Sequence, residues 1–229
     1  MRGSVGSPED LIRYMNRFAC LSACALAVGV ASPAWSAAPT TFDLGNSALY
    51  KRMVALNGNV SSYEADVHLD VALRTFPFLS PSLDGNVYYK RPNKQAVVFN
   101  TVPALASQFK KVFPRIDPPA EWNSLYTVAS LGDANGQTTF RLLPKKGGRV
   151  EHLDVKVDDA TATPRAYTWT YKDGGFVTFV QSYTMENGDY LVQKQSGHVE
   201  LPAYKADVVS NFSNYRLNVA VADSVFEDK

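Results

Sequence analysis

The chain has 229 residues, of which 45% are hydrophobic and 12% aromatic, and its formal net charge at pH 7 is +1. This length and composition allow one domain with a substantial apolar core, and the near-neutral charge argues against a nucleic-acid-binding protein. Both cysteines, Cys20 and Cys24, lie near the N-terminus, so we expect neither disulfides nor cysteine-bound metal in the rest of the chain.

The N-terminal region has the layout of a secretory signal peptide. An apolar run at 18–30 follows two arginines and precedes a stretch of small residues. The run is shorter than the ~20 apolar residues that span a bilayer, and the order of basic, apolar and small residues is typical of an export signal. The sequence therefore predicts a signal peptide over 1–36, cleaved near Ser36, and an exported domain over 37–229.

Two alternatives remain open in this region. The segment 21–24 resembles a lipobox, and acylation of Cys24 would then make the protein a membrane-anchored lipoprotein. Met15 is a second candidate start, because the residues before it include two acids and do not resemble an export signal. Cleavage after Ser36 would remove three of the 23 basic and two of the 22 acidic residues, leaving 20 of each.

A short helix and then an amphipathic strand open the predicted domain. Leu49, Met53 and Leu56 have helical spacing within 47–56, and Asn57 begins an Asn-Gly-Asn end signal. The segment 63–74 then alternates with a period of two, so that hydrophobic and polar residues fall on opposite faces. The hydrophobic face consists of Ala65, Val67, Leu69, Val71 and Leu73.

Similar strands follow almost to the C-terminus, and the joints between them carry Asn-Gly, Gly-Gly or Pro-Asn turn signals. The predicted strands are 61–74, 85–91, 94–100, 125–131, 137–143, 149–157, 165–172, 176–184, 189–195 and 207–219. We therefore predict a mainly β (α+β) domain with a single antiparallel sheet, one face of which is apolar.

One helix interrupts the strands, over 103–113. Leu105, Phe109 and Val112 lie on one helical face, and Pro114 ends the pattern. This helix would either fill the apolar face of the sheet as core or cover a ligand cavity as a movable lid.

The sequence Gly-Asn-Val-Tyr-Tyr-Lys-Arg-Pro-Asn-Lys at 85–94 resembles a hairpin of the periplasmic lipoprotein-carrier superfamily, the proteins of the LolA, LolB and RseB type. The tail from Tyr204 to Phe226 is similar to the last strand and closing phenylalanine of that superfamily. Where the carriers have an aromatic-rich strand, this chain has the 103–113 helix. The resemblance implies an incomplete β-barrel curled around helices, with an apolar groove for acyl chains on its concave face. It also implies a periplasmic location in a Gram-negative bacterium.

The sequence contains no recognisable catalytic or metal motif. His68, His152 and His198 fall on separate predicted strands, whereas a zinc site needs three or four convergent ligands. Asp66 and Asp70 would lie ~13 Å apart along an extended strand, too far for a glycosidase pair. We therefore predict no enzyme activity, no cofactor and a solvated face for the three histidines.

Three functions fit this pattern. The first is a binding protein that holds a lipid, the acyl chain of a lipidated protein or another hydrophobic ligand in the groove. The second is an interaction or envelope-stress-sensing module with a filled groove and a membrane-protein partner, and the third is an enzyme on the same scaffold. The candidate groove residues are Val67, Leu69, Val71, Leu105, Phe109 and Trp169. Trp169 shares a strand face with Tyr167 and Tyr171, and such a face is either core or the lining of a ligand groove.

Overall fold

Ten antiparallel strands form one sheet in the computed structural model, which describes residues 43–75, 78, 80–100 and 116–227. The order across the sheet is β3-β2-β1-β10-β9-β8-β7-β6-β5-β4. The strands are β1 (Ser62–Leu73), β2 (Ser82–Lys90), β3 (Lys94–Phe99), β4 (Tyr126–Ala134), β5 (Gln137–Pro144), β6 (Val150–Asp158), β7 (Pro164–Tyr171), β8 (Phe176–Glu186), β9 (Asp189–Glu200) and β10 (Lys205–Leu217).

The predicted fold class is confirmed. Within the described residues the sheet is not closed, since β3 and β4 are its two edges, as in an incomplete barrel. Two meanders, β1 to β3 and β4 to β10, are joined through the pairing of β1 with β10. All ten predicted strands are present, although β9 continues five residues beyond the predicted end at Gln195, as far as Glu200.

The alternation in β1 places its side chains as predicted. Val67 and Leu69 are buried, whereas His68 and Asp70 between and after them are exposed. His152 and His198 are partly covered and lie on the polar faces of β6 and β9, where their strand neighbours Leu153 and Val199 are buried. The period-two pattern therefore sorted core from surface correctly.

The hairpins use the predicted turn residues. Asn135 and Gly136 have φ values of 54° and 72°, and Asn187 and Gly188 have 52° and 88°, which is the left-handed conformation that tight hairpins require. Pro92 lies in the turn between β2 and β3, and β3 restarts at Lys94. This position avoids the loss of a ladder hydrogen bond.

A short helix, α1 (Ala48–Ala55), precedes the sheet. The Ser47 hydroxyl caps it by accepting a hydrogen bond of 3.2 Å from the Tyr50 amide. Its buried residues are Tyr50 and Met53, and Leu56 lies just beyond its end rather than on its buried face. The helix predicted over 103–113 falls outside the described residues. A 3₁₀ turn (Pro119–Glu121) and a one-turn helix, α2 (Trp122–Leu125), follow that segment.

The main core lies between the inner face of the sheet and these helices. Trp122, 1% exposed, contacts Tyr50 and Phe140 with ring centroids 6.2 and 6.1 Å away. Tyr167, Trp169 and Tyr171 belong to the same cluster of buried residues. Among the described residues, no helix is both long enough and apolar enough to cross a membrane.

Gly85, the first residue of the sequence that resembles the carrier hairpin, marks a close approach of β2 to β3. A Cβ atom at this position would lie 2.3 Å from the Val98 carbonyl oxygen and 2.8 Å from the Phe99 Cα. Only glycine allows the two backbones to pair here without a shift.

Candidate functional site

The candidate site is a cavity of about 520 Å³ that is partly open to solvent. Its walls come from α1 and the loop after it, from β1 to β3, from β7 to β10, and from the segment 116–120. A volume of this size is typical of small-molecule binding sites, which occupy roughly 300–1,000 Å³. The cavity therefore brings together parts of the chain that are far apart in sequence.

One part of the wall is apolar. Met53 comes from the end of α1, and Leu56 and Val60 come from the loop after it. Val87 and Val97 face the cavity from paired positions on β2 and β3. Val87 is 9% exposed and Val97 is 49% exposed. Hydrocarbon would displace water from this surface favourably.

Five tyrosines also contribute to the lining: Tyr63, Tyr89, Tyr167, Tyr183 and Tyr215. The Tyr63 ring stacks on Tyr89 at 5.2 Å and meets the edge of Tyr215 at 5.4 Å. Tyr215 is fixed by its hydroxyl, which donates to the Val192 carbonyl over 2.6 Å. Aromatic walls of this kind contact apolar ligands through the ring and polar groups through the hydroxyl.

A hydrogen-bonded chain of polar groups crosses the wall at β8 and β9. The Tyr183 hydroxyl lies 2.6 Å from the Pro164 carbonyl and 2.7 Å from the Gln181 side-chain oxygen. The Gln181 amide is in turn 2.6 Å from the amide of Gln195, its direct neighbour on β9. Gln181 is 9% exposed, so this chain places polar groups in a buried part of the wall.

The tyrosine hydroxyls stay protonated near neutral pH. Burial raises the pKa of Tyr63 to about 12, and the neighbouring Tyr89 adds to this shift. Burial likewise raises the pKa of Tyr167, Tyr183 and Tyr215. The phenols therefore act as neutral hydrogen-bonding groups, because the charged form is disfavoured in this environment.

The charged side chains of the described lining are Arg91 and Asp117. The Arg91 guanidinium donates to the Val60 carbonyl over 2.6 Å and to the Asn57 carbonyl over 2.8 Å. It thereby ties the β2–β3 turn to the loop after α1. The Asp117 carboxylate accepts a 2.6 Å hydrogen bond from the Tyr126 hydroxyl. Both charged side chains therefore form hydrogen bonds that connect neighbouring segments of the cavity wall.

The six residues predicted to line the groove do not lie together in the structure: four are in buried or partly buried parts of the sheet, and two fall outside the described residues. Leu69 packs in a second apolar cluster with Leu83 and Val208, and Val71 contacts both clusters. Val67 is buried, with 5% of its surface exposed, and Trp169, 3% exposed, belongs to the main core. These four are not among the described residues that line the cavity, but Tyr167, from the same face as Trp169, is. Leu105 and Phe109 fall outside the described residues.

The polar face of the sheet carries a serine, a histidine and an aspartate in contact. Ser82 Oγ is 3.2 Å from His68 Nε2, and His68 Nδ1 is 2.7 Å from Asp84 Oδ1. The side chains of His68 and Asp84 are 46% and 73% exposed, and the Ser82 hydroxyl donates to Asp70 over 2.8 Å. Nucleophilic catalysis needs a hydroxyl directed at its base and a water-excluded oxyanion site, so this cluster is better explained as surface hydrogen bonding.

Metal binding has no candidate in the part of the chain that the structure describes. No group of three or more histidine, cysteine, aspartate or glutamate side chains is placed there to hold an ion.

The fold is similar to that of several solved structures. A domain from Vibrio parahaemolyticus described as an outer membrane lipoprotein-sorting protein matches with a TM-score of 0.60 and 13% identity, over 77% of this chain and 93% of that one. A LolA superfamily protein from Nitrosomonas europaea matches with a TM-score of 0.55 and 11% identity, over 79% and 96%. A DUF1329 family protein from Desulfovibrio piger gives 0.57 and 15%, over 79% and 96%.

No protein-family model matches the chain, and no curated protein matches it.

Proposed function

We propose that this chain, which has the fold of the LolA superfamily, is a periplasmic binding protein without enzymatic activity. It would hold a lipid, the acyl chain of a lipidated protein or another hydrophobic ligand. The observation that carries the proposal is the cavity of about 520 Å³ with its apolar and aromatic walls. An interaction module with a filled groove would not need this space.

The energetics favour such a role. Burial of a methylene contributes ~0.8 kcal/mol, so a chain of about fourteen carbons needs on the order of 10 kcal/mol of shielding to leave a membrane. Only an interior surface supplies this shielding, and the exposed polar face of the sheet does not. Uptake and release at a membrane would also suit a membrane-protein partner.

The predicted signal peptide supports a periplasmic location for this binding protein. The predicted signal peptide over 1–36 would export the domain, and a carrier of this fold would then exchange its ligand between envelope membranes. N-terminal sequencing of protein from the periplasm of a Gram-negative host should give a start near Ala37. An acylated N-terminus at Cys24 would instead identify a membrane-anchored form.

Two variants on one strand test whether the cavity is the binding site. Val97 faces the cavity and Val98 is not part of the described lining, yet their exposures are nearly equal at 49% and 48%. Val97→Trp should reduce binding of the fluorescent probe N-phenyl-1-naphthylamine to delipidated protein, because the indole would occupy part of the cavity. Val98→Trp is the matched control and should bind the probe like the wild type.

Thermal unfolding of both variants would confirm that they fold. Equal probe binding by folded Val97→Trp and Val98→Trp, or no probe binding by the wild type, would contradict the proposal.

A further inference from the structure

A buried hydroxyl group in the cavity wall has no hydrogen-bond partner among the described residues. Tyr167 is 5% exposed and belongs to the described lining, and its hydroxyl is not among the groups that hydrogen-bond to one another there. A buried tyrosine hydroxyl usually has a partner, because an unsatisfied polar group costs free energy. Phenylalanine would fill the same place without this cost, so the hydroxyl indicates a role beyond packing.

The Tyr167 hydroxyl borders open space rather than packed protein. In the part of the chain that the structure describes, every side-chain nitrogen or oxygen that is sealed from solvent has a hydrogen-bond partner. The Tyr167 hydroxyl has no such partner, so it must reach the open space that this residue lines, which is the cavity. Water would hydrate the hydroxyl there, and a ligand that displaces this water must replace its hydrogen bond or lose affinity.

The packing around the Tyr167 ring fixes the position of the hydroxyl. On β7, Tyr167 pairs with Val155 of β6 and Phe179 of β8, which are 0% and 2% exposed. Its ring also stacks on Trp169, with the ring centroids 5.8 Å apart. Turning the ring towards bulk solvent would disrupt this close packing. The donor is therefore preorganised, which reduces the entropy lost when it binds an acceptor.

The neighbouring phenol does not take up this hydrogen. The Tyr183 hydroxyl already lies 2.6 Å from the Pro164 carbonyl and 2.7 Å from the Gln181 side-chain oxygen. Burial, and then the neighbouring Tyr183, raise the pKa of Tyr167, so its hydroxyl keeps its hydrogen near neutral pH. Any oxygen with a free lone pair can accept this hydrogen, such as that of a carbonyl, ester, hydroxyl or carboxylate group.

We propose that the cavity selects hydrophobic ligands that carry an oxygen acceptor on the part that enters it, and that the Tyr167 hydroxyl donates a hydrogen bond to this oxygen. This inference rests on the proposed function, since it specifies the ligand class of the same cavity. The oxygenated group then lies in the buried part of the cavity, and the hydrocarbon part extends along the apolar wall towards the exposed Val54 and Val97. A pure hydrocarbon chain at the same depth leaves the hydroxyl without a partner, at a cost in free energy.

Two tyrosines on β7 provide a variant and its matched control. Tyr167→Phe removes the hydroxyl and keeps the ring. Tyr171→Phe is the control, because Tyr171 is buried on the same face of the same strand and is absent from the described lining. The acceptor probe is prodan, a naphthalene dye whose emission moves to longer wavelength when its carbonyl oxygen accepts a hydrogen bond. The reference probe is N-phenyl-1-naphthylamine, which contains no oxygen.

We expect Tyr167→Phe to bind prodan about two- to tenfold more weakly than the wild type, the effect of losing one neutral hydrogen bond. The emission of bound prodan should also move to shorter wavelength. The reference probe should bind the wild type and both variants alike, and Tyr171→Phe should bind prodan like the wild type.

Three results would overturn the inference and leave the proposed function intact. These are an unchanged prodan affinity in Tyr167→Phe, an equal weakening of both probes in that variant, and the same loss of prodan affinity in Tyr171→Phe. If the wild type binds neither probe, the proposed function fails together with the inference.

Discussion

Gly85→Ala should destabilise the protein, because the position has no room for a methyl group. The added Cβ would lie 2.3 Å from the Val98 carbonyl oxygen, about 1 Å inside ordinary contact distance. The contacted atom belongs to the backbone, so the clash cannot be relieved by a change of side-chain rotamer. Moving β3 away from β2 would also break hydrogen bonds between the two strands, including the 2.9 Å bond from the Asn100 amide to the Asp84 carbonyl.

The expected cost is about 2 kcal/mol, within the range for overpacking a tightly packed site. For a domain of this size that corresponds to a fall in Tm of about 4 to 8 °C, and to a lower urea midpoint with an unchanged m-value. Gly147→Ala is the control, because a Cβ there meets nothing within 4 Å and φ is not positive. Gly85→Ala with the stability of Gly147→Ala would refute the close-approach argument.

Three further changes test other parts of the structure. Trp122→Ala should lower the free energy of unfolding by about 3–5 kcal/mol, as for other buried aromatic side chains, and a urea titration that finds less than 1 kcal/mol would disprove its place in the core. Asn57 has φ of 54° and its amide bonds both the amide and the carbonyl of Tyr190, so Asn57→Ala should cost about 2–3 kcal/mol. Asn57→Gly, which keeps the backbone conformation, should cost about 1 kcal/mol less; equal costs would exclude a contribution from φ. The hydrogen bond to Asp84 raises the pKa of His68. The pair therefore stabilises the fold at pH values below the pKa of His68 in the unfolded chain, and this stabilisation is lost as the pH rises through the pKa of His68 in the folded protein. Asp84→Asn should lower the pKa of His68 in an NMR titration, and an unchanged titration would contradict the contact.

The strands were predictable because each carries its own pattern. In β1 the alternation from Tyr63 onwards determines which side chains face the core. Because side chains alternate between the two faces, a polar residue between two apolar ones shows which residues are buried. Asn-Gly turns fix the hairpins in the same local way, as at Asn135 and Asn187. Strands joined by such turns then pair in sequence order, so that each of the two meanders follows from its own turns.

The cavity was less predictable, because strand periodicity identifies a face but not which part of it stays uncovered. Val67 and Leu69 lie on the apolar face as expected and are buried, yet neither is among the described residues that line the cavity. The open part involves Tyr63 and Tyr215, which stand 152 positions apart in the chain and meet through the pairing of β1 with β10. No local signal in the sequence brings these two residues together.

Native mass spectrometry of protein purified without detergent from a Gram-negative periplasm would show whether the cavity holds a hydrophobic ligand. We predict a species with one bound lipid, which dissociates on collisional activation and is reduced in Val97→Trp but not in Val98→Trp. Protein that carries no lipid, and that takes up none after incubation with monolauroylglycerol, would contradict this prediction.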